Sequence, residues 1–249
     1  MILVSNPKFS LQPISDVVRT IEEEFEGWEV FAERYHSYDH KEEVCDALST
    51  TDLELQLHAP LNDINIASLN PSIRRVSMNE VKKSIEMASM LDIEIVTVHP
   101  GLYSPLSRYM ENASDFAKES LRELKEHSEE HGIKIALENL PEMWLTICNT
   151  VKETREFLEE VGLGFCLDIG HAYTAGELEG FLDLSPINVH VHDNIGEKDL
   201  HLKLGEGKID LEKAIRSLKS YEGNYVIEGR NLDDLKESEK YLENILKDI

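Results

Sequence analysis

Basic residues are scarce in this chain: 25 Lys and Arg stand against 49 Asp and Glu over 249 residues, a net charge of −24. Such a surface repels the phosphates of nucleic acid and anionic membranes, so neither is an expected partner. Cysteine is also scarce, with Cys45, Cys148 and Cys166 giving an odd count and no CxxC spacing. That argues against a disulfide framework; a reducing cytoplasm is the expected compartment, and each thiol reads as a small buried hydrophobe. No apolar run approaches the roughly 20 residues of a membrane helix. The opening residues lack the basic, apolar and small-residue zones of a signal peptide. Nor does a Pro-, Gly- or Ser-rich linker divide the chain, so residues 1–249 read as one domain.

What is present is ordinary globular composition, 41% hydrophobic and 30% charged, with enough apolar chain for a large core. Short β-rich runs alternate with segments of helical period from end to end. Strands are predicted near residues 2–5, 28–33, 53–58, 93–99, 133–138, 164–168, 187–192 and 224–228. Ile14, Val17, Val18, Ile21 and Phe25 recur as one helix face, as do Met110, Ala113, Ala117, Leu121 and Leu124. Leu211, Ala214, Ile215 and Leu218 repeat the pattern, followed by Leu235, Leu242, Ile245 and Leu246. Gly132, just before the fifth strand, suits the left-handed residue that ends a helix. Eight βα units in a chain of this length predict an α/β fold, a single (β/α)8 TIM barrel, rather than an open sheet. Residues 59–77 read as the longest irregular segment. With residues 100–107 and 141–150, which carry Leu102, Tyr103, Met143 and Trp144, it is expected to wall a pocket.

The chemistry lies where His, Asp and Glu fall relative to the strands. The strand ends carry His58, His99, Glu138, Asp168 with His171, His190 and Glu228, and the loop after strand seven adds Asp199 and His201. In a barrel these positions converge on one mouth. A single strand-end histidine is ordinarily a hydrogen-bonded structural residue, and a strand-end carboxylate can cap the following helix. Carboxylates crowded together, however, repel one another and are driven to protonate unless a cation compensates them. Mixed imidazole and carboxylate donors suit Zn²⁺, Mn²⁺ or Fe²⁺ better than Mg²⁺ or Ca²⁺. All nine side chains are therefore candidate metal ligands. Glu138, Asp168, Asp199 and Glu228 sum to −4, which one divalent ion leaves undercharged, so a second, partly occupied position is expected.

The motifs HAP (58–60), HPG (99–101), LEN (137–139), LDIGHA (167–172), HVHDN (190–194), DLHLKLGEG (199–207) and VIEGR (226–230) resemble those of the xylose-isomerase-like TIM barrel superfamily. That superfamily contains divalent-metal sugar isomerases and epimerases and also the endonuclease IV class of abasic-site nucleases. For the isomerase branch the resemblance implies one metal on Glu138, Asp168, His190 and Glu228. For the nuclease branch it implies three zinc ions, with His58 and His99 on one, His171, Asp199 and His201 on another, and Glu138 bridging. Nucleases of this class carry Thr-Cys or Thr-Ala where this chain has Ile169 and Gly170, and a longer stretch before the Asp-x-His pair. The form from His190 to Asp210 is more similar to the isomerase and epimerase branch, and the charge of −24 opposes duplex binding.

The expected activity is thus sugar or sugar-phosphate isomerisation or epimerisation through a metal-stabilised enediolate, with one to three ions, Zn²⁺ or Mn²⁺; the alternative is a zinc-dependent phosphodiesterase. Glu138 and Glu228 are the expected base and acid, and His171 the group that polarises the substrate oxygen. Arg230 or Lys203 is expected to meet a phosphate or carboxylate tail near the Gly205 and Gly207 turn, and Trp144 to touch substrate.

Overall fold

The computed structural model describes residues 1–247, with their side chains except that of Arg108; residues 248–249 of the expected domain lie outside it. The strands are β1 (Ile2–Ser5), β2 (Gly27–Phe31), β3 (Glu54–His58), β4 (Ile95–Val98), β5 (Lys134–Glu138), β6 (Gly164–Asp168), β7 (Asn188–Val191) and β8 (Tyr225–Glu228). They pair in parallel in chain order. β8 returns to β1 in the register Ile2↔Tyr225 to Ser5↔Glu228 and closes the barrel. Every strand end lies within two residues of its predicted position.

Around them run α1 (Ile14–Glu22), α2 (Lys41–Leu48), α3 (Pro71–Met90), α4 (Asp115–Glu130), α5 (Val151–Phe157), α6 (Ile169–Thr174), α7 (Leu178–Leu182), α8 (Leu211–Ser217) and α9 (Leu232–Lys247). Gly132 has φ +74°, as the end of α4 requires. The segment read as irregular to residue 77 ends earlier, because α3 begins at Pro71. Asn70 Oδ1 accepts from the N–H groups of Ser72 and Ile73, and proline stands in the first turn. Ile73 and Val76 are exposed, which obscured the apolar face there. Met110 and Ala113 precede α4 rather than opening it. Among the described residues no helix is long and apolar enough to cross a membrane.

Strand alternation sorts the side chains. Val4, Trp28, Val30, Leu57, Val96, Val98, Ile135, Leu137, Phe165, Leu167, Val189 and Ile227 join a jacket with helix residues such as Ile21, Ile85, Leu121, Phe157 and Ile215. Full burial of each large jacket side chain contributes about 2 kcal/mol. The intervening positions, including Glu29, His58, Thr97, Glu138, Asp168, Asn188, His190 and Glu228, are buried yet polar and turn toward the barrel axis. Cys148 and Cys166 are buried and Cys45 half-buried, and all three are unpaired.

Candidate metal centre

Glu138, the last residue of β5, is the hub of the mouth. Its Oε2 lies 3.2 Å from Nε2 of both His58 and His99 and 3.7 Å from His190 Nδ1, and its Oε1 lies 3.2 Å from His171 Nδ1. Glu228, ending β8, holds His190 Nδ1 and His201 Nδ1 at 3.1 Å each. Asp199 Oδ2 sits 3.3 Å from His171 Nε2 and 3.0 Å from His201 Nε2. Asp168 Oδ1 accepts from the His171 N–H at 2.6 Å, so it caps α6 while sitting inside the cluster. All nine candidate ligands are brought together. His201 is held at φ +45°, a left-handed conformation that a non-glycine residue adopts only under constraint.

The imidazoles are fixed for coordination. His58 Nδ1–H donates to the Ala59 carbonyl at 2.6 Å and His171 Nδ1–H to the Asn139 carbonyl at 2.9 Å. A carbonyl only accepts, so Nε2 is the nitrogen each ring can free for an ion when its proton leaves. His190 is set the other way. Its Nε2 lies 3.0 Å from Glu29 Oε1, leaving Nδ1 toward Glu138 and Glu228. Glu29, fully buried in β2 and bound by Thr97 and Asn188, is a supporting carboxylate that sequence reasoning missed. A charged residue in the middle of the apolar run Trp28–Phe31 was the available signal.

Burial alone would lower the pKa of His171, but Asp168, Asp199 and Glu138 outweigh it and hold the ring well above its usual range. His201 responds in the same way to Asp199 and Glu228, rising to about 10 against burial. Burial would raise Glu138 and Glu228, yet the surrounding histidines keep both carboxyls well below the usual carboxylate range. A divalent cation can replace those imidazole protons. Asp168 Oδ2, His190 Nδ1, His192 Nε2 and Asp199 Oδ1 are buried here with ion-pair neighbours at 3.1 to 3.7 Å but no aligned hydrogen bond. Each would cost about 1 to 3 kcal/mol unless a ligand satisfied it. The donor set therefore fits a divalent transition metal, and several subsets have ligand atoms within 4.8 Å of one another.

A cavity of about 350 Å³ opens above Glu138, His99, His171, Asp199, His201 and Glu228. Its walls are apolar: Phe31, Leu61, Ile64, Leu102, Leu140 and Met143 come largely from the three expected loops. Trp144 does not reach it. That side chain is exposed and borders a separate hollow with Tyr103, whose hydroxyl donates to Glu153. Arg230 and Lys203 also lie outside the lining. Arg230 pairs with Glu206 and Asp234, and Lys203 with Glu237. The turn expected to receive an anion already holds one, because the N–H groups of Gly205, Gly207 and Ile209 donate to the Asp193 carboxylate at 2.9 to 3.2 Å. The expected phosphate seat is thus filled by the chain itself.

A closed eight-stranded barrel with clustered ligands at its C-terminal mouth defines a class of (β/α)8 proteins with a candidate metal centre. Residues 18–246 match the family described as xylose isomerase-like TIM barrel, and the chain belongs to it. It is 34% identical over 247 residues to an uncharacterized protein of Methanocaldococcus jannaschii, covering 94% of this chain and 84% of that one. It is 29% identical to a probable endonuclease 4 of Mycobacterium leprae over 70% of this chain and 72% of the other. Among solved structures, a D-tagatose 3-epimerase-like protein superposes with a TM-score of 0.90 at 31% identity, covering 99% of this chain and 97% of that one. Endonuclease IV from Thermus thermophilus shares the fold at a TM-score of 0.73 and 18% identity, over 99% and 98% of the two chains.

Proposed function

We propose that this protein is a divalent-metal-dependent isomerase or epimerase acting on an unphosphorylated sugar in a reducing cytoplasm. The observation that carries the reading is the pair Glu138 and Glu228. Both are buried at strand ends, both face one cavity, and each carboxyl is flanked by histidines. Similarity to a D-tagatose 3-epimerase-like protein supports the same reaction class.

A sugar with its carbonyl and adjacent hydroxyl toward the strand ends offers the C–H between them to one glutamate, which takes the proton. The second glutamate, carrying a proton taken from solvent before the sugar fills the cavity, returns it from the opposite face and inverts that carbon, ending ionised while the first ends protonated. Return of the first glutamate's proton to the neighbouring carbon, with the hydroxyl proton passing to the former carbonyl oxygen, isomerises the sugar. Glu138, Asp168, His190 and Glu228 would hold the ion, which would supply positive charge where negative charge develops on oxygen. Phe31, Leu61, Ile64, Leu102 and Leu140 keep water from the abstracted proton. The sugar is read as unphosphorylated because the cations near the rim are paired and the Gly205 turn is filled.

The second reading, a zinc-dependent phosphodiesterase, draws on the nine gathered ligands and the likeness to probable endonuclease 4. A charge of −24 opposes duplex binding. The test is a panel of aldoses and ketoses in D₂O with metal-loaded protein, read by NMR for deuterium at the carbon beside the carbonyl, alongside a fluorescent abasic duplex. Deuterium incorporation without cleavage is expected. Strand cleavage abolished by chelation, with no deuterium exchange, would replace the isomerase with the nuclease.

A further inference from the structure

His192 has no place in the ligand sets described above. It is fully buried, its Nδ1–H is directed at the Asp193 carbonyl at 3.4 Å, and its Nε2 is one of the buried atoms without a hydrogen-bond partner. That nitrogen lies between Asp168 Oδ1 at 3.1 Å and Asp199 Oδ1 at 3.6 Å, while His201 Nε2 lies 3.0 Å from Asp199 Oδ2. The two rings stack at 3.9 Å with an interplanar angle of 12° and present the same edge to one carboxylate. His171 completes the group, its Nε2 facing Asp199 from 3.3 Å. Ligand atoms of the four residues lie within 4.8 Å of one another.

We propose that His171, His192, Asp199 and His201 form a closed four-ligand site for Zn²⁺ or a similar transition ion, with His192 as the ligand that closes it. Three nitrogens and one oxygen satisfy tetrahedral coordination without water or substrate, the arrangement of a structural rather than a catalytic site. The three-ligand set without His192 leaves a position open. Gly170 supplies the room: a Cβ there would stand 2.0 Å from His192 Cε1 and 2.3 Å from its Nε2. A side chain at this position, as in the Thr-Cys or Thr-Ala pair of the nuclease pattern, would displace the ring. Gly170 and His192 thus form one device, and a saturated ion here has no vacant position for a phosphate oxygen. The site holds its ion whichever reaction the neighbouring open site performs.

Protein stripped by chelation and titrated with Co²⁺ provides the test, because four-coordinate Co²⁺ absorbs visible light far more strongly than five- or six-coordinate Co²⁺. Wild type is expected to give one equivalent of strong absorption, displaced by Zn²⁺. In His192→Asn that absorption is lost and Zn²⁺ affinity at one site falls at least about tenfold. Gly170→Ala keeps the imidazole but pushes it away, so it is expected to lose the band with unchanged far-UV circular dichroism. Should His192→Asn fail to fold, Gly170→Ala decides alone. A wild-type cobalt spectrum and wild-type zinc affinity in a folded form of either variant would overturn the proposal, leaving His192 as an ion-pair partner of Asp168, 3.1 Å away.

Discussion

His36 and His201 belong to two regions that treat the same imidazole in opposite ways. His36 is fully buried, edge-on to Trp28 at 5.6 Å, and its Nε2–H donates to the Gln12 carbonyl. Burial dominates there and lowers its pKa to about 4. His201 lies between Asp199 and Glu228, and those carboxylates overcome burial and raise it to about 10. The difference is one of composition. The jacket around Trp28 is filled with neutral groups, so it answers to volume and solvation. The mouth concentrates negative charge beyond what its own side chains neutralise, so it answers to cations.

That contrast breaks most sharply at Glu138. Glu138→Gln removes a charged ligand and the proposed base together, so turnover should fall by about 10³-fold or more. Its pairing with His58, His99 and His171 holds the carboxyl ionised, so the metal-free melting temperature at pH 7 should fall as well, and the stabilisation by added Zn²⁺ should shrink. An unchanged metal-free melting temperature would show that these ion pairs contribute nothing to folding. Phe165→Ala is the converse experiment. Phe165 is buried against Phe181 at 6.2 Å, and truncation should cost about 3 to 5 kcal/mol in denaturant melts. Zinc bound per folded chain should stay at the wild-type value.

His36 gives a pH prediction of intermediate size. The folded-state pKa of His36 is about 4 against an ordinary 6.5, so the unfolded chain binds the extra proton first. Its contribution is complete above pH 6.5 and is lost as pH falls toward 4, at most about 3 kcal/mol. His36→Gln retains a donor for Gln12 but cannot titrate. The stability difference between wild type and His36→Gln should shift by this amount between pH 7 and pH 4. A constant difference would mean that His36 is not held neutral.

The strands were legible because each is a short β-rich run before a helix, and the mouth because period-two alternation carries residues such as Glu138, Asp168 and Glu228 inward at strand ends. The same rule would have found His192, two residues beyond His190 and so on the same face, and Glu29 between Trp28 and Val30. The predicted strand 187–192 ends on His192, yet the reading there takes His190, and Glu29 lies far below the rim. What the rule could not supply was the ionic partner of each cation. Arg230 and Lys203 fall within motifs, yet their carboxylates come from α9 and from the loop between β7 and α8, contacts that only the fold creates.

Those pairs give the smallest expected effect and the finest test of where the mouth ends. Arg230 and Lys203 are partly exposed, and ion pairs of that kind are worth about 0 to 1 kcal/mol. If the cavity takes an uncharged sugar, Arg230→Ala and Lys203→Ala should each leave kcat/KM within about twofold and the melting temperature nearly unchanged. A phosphorylated substrate would make these side chains leave Glu206, Asp234 and Glu237 for the phosphate, and neutralising either would then raise KM by about tenfold or more, since charge-assisted hydrogen bonds are worth about 1.5 to 3 kcal/mol. The comparison is best made with a sugar and its phosphate ester side by side. A selective KM increase for the ester would extend the charged mouth to the rim, whereas equal and small effects on both would confine its chemistry to the strand ends.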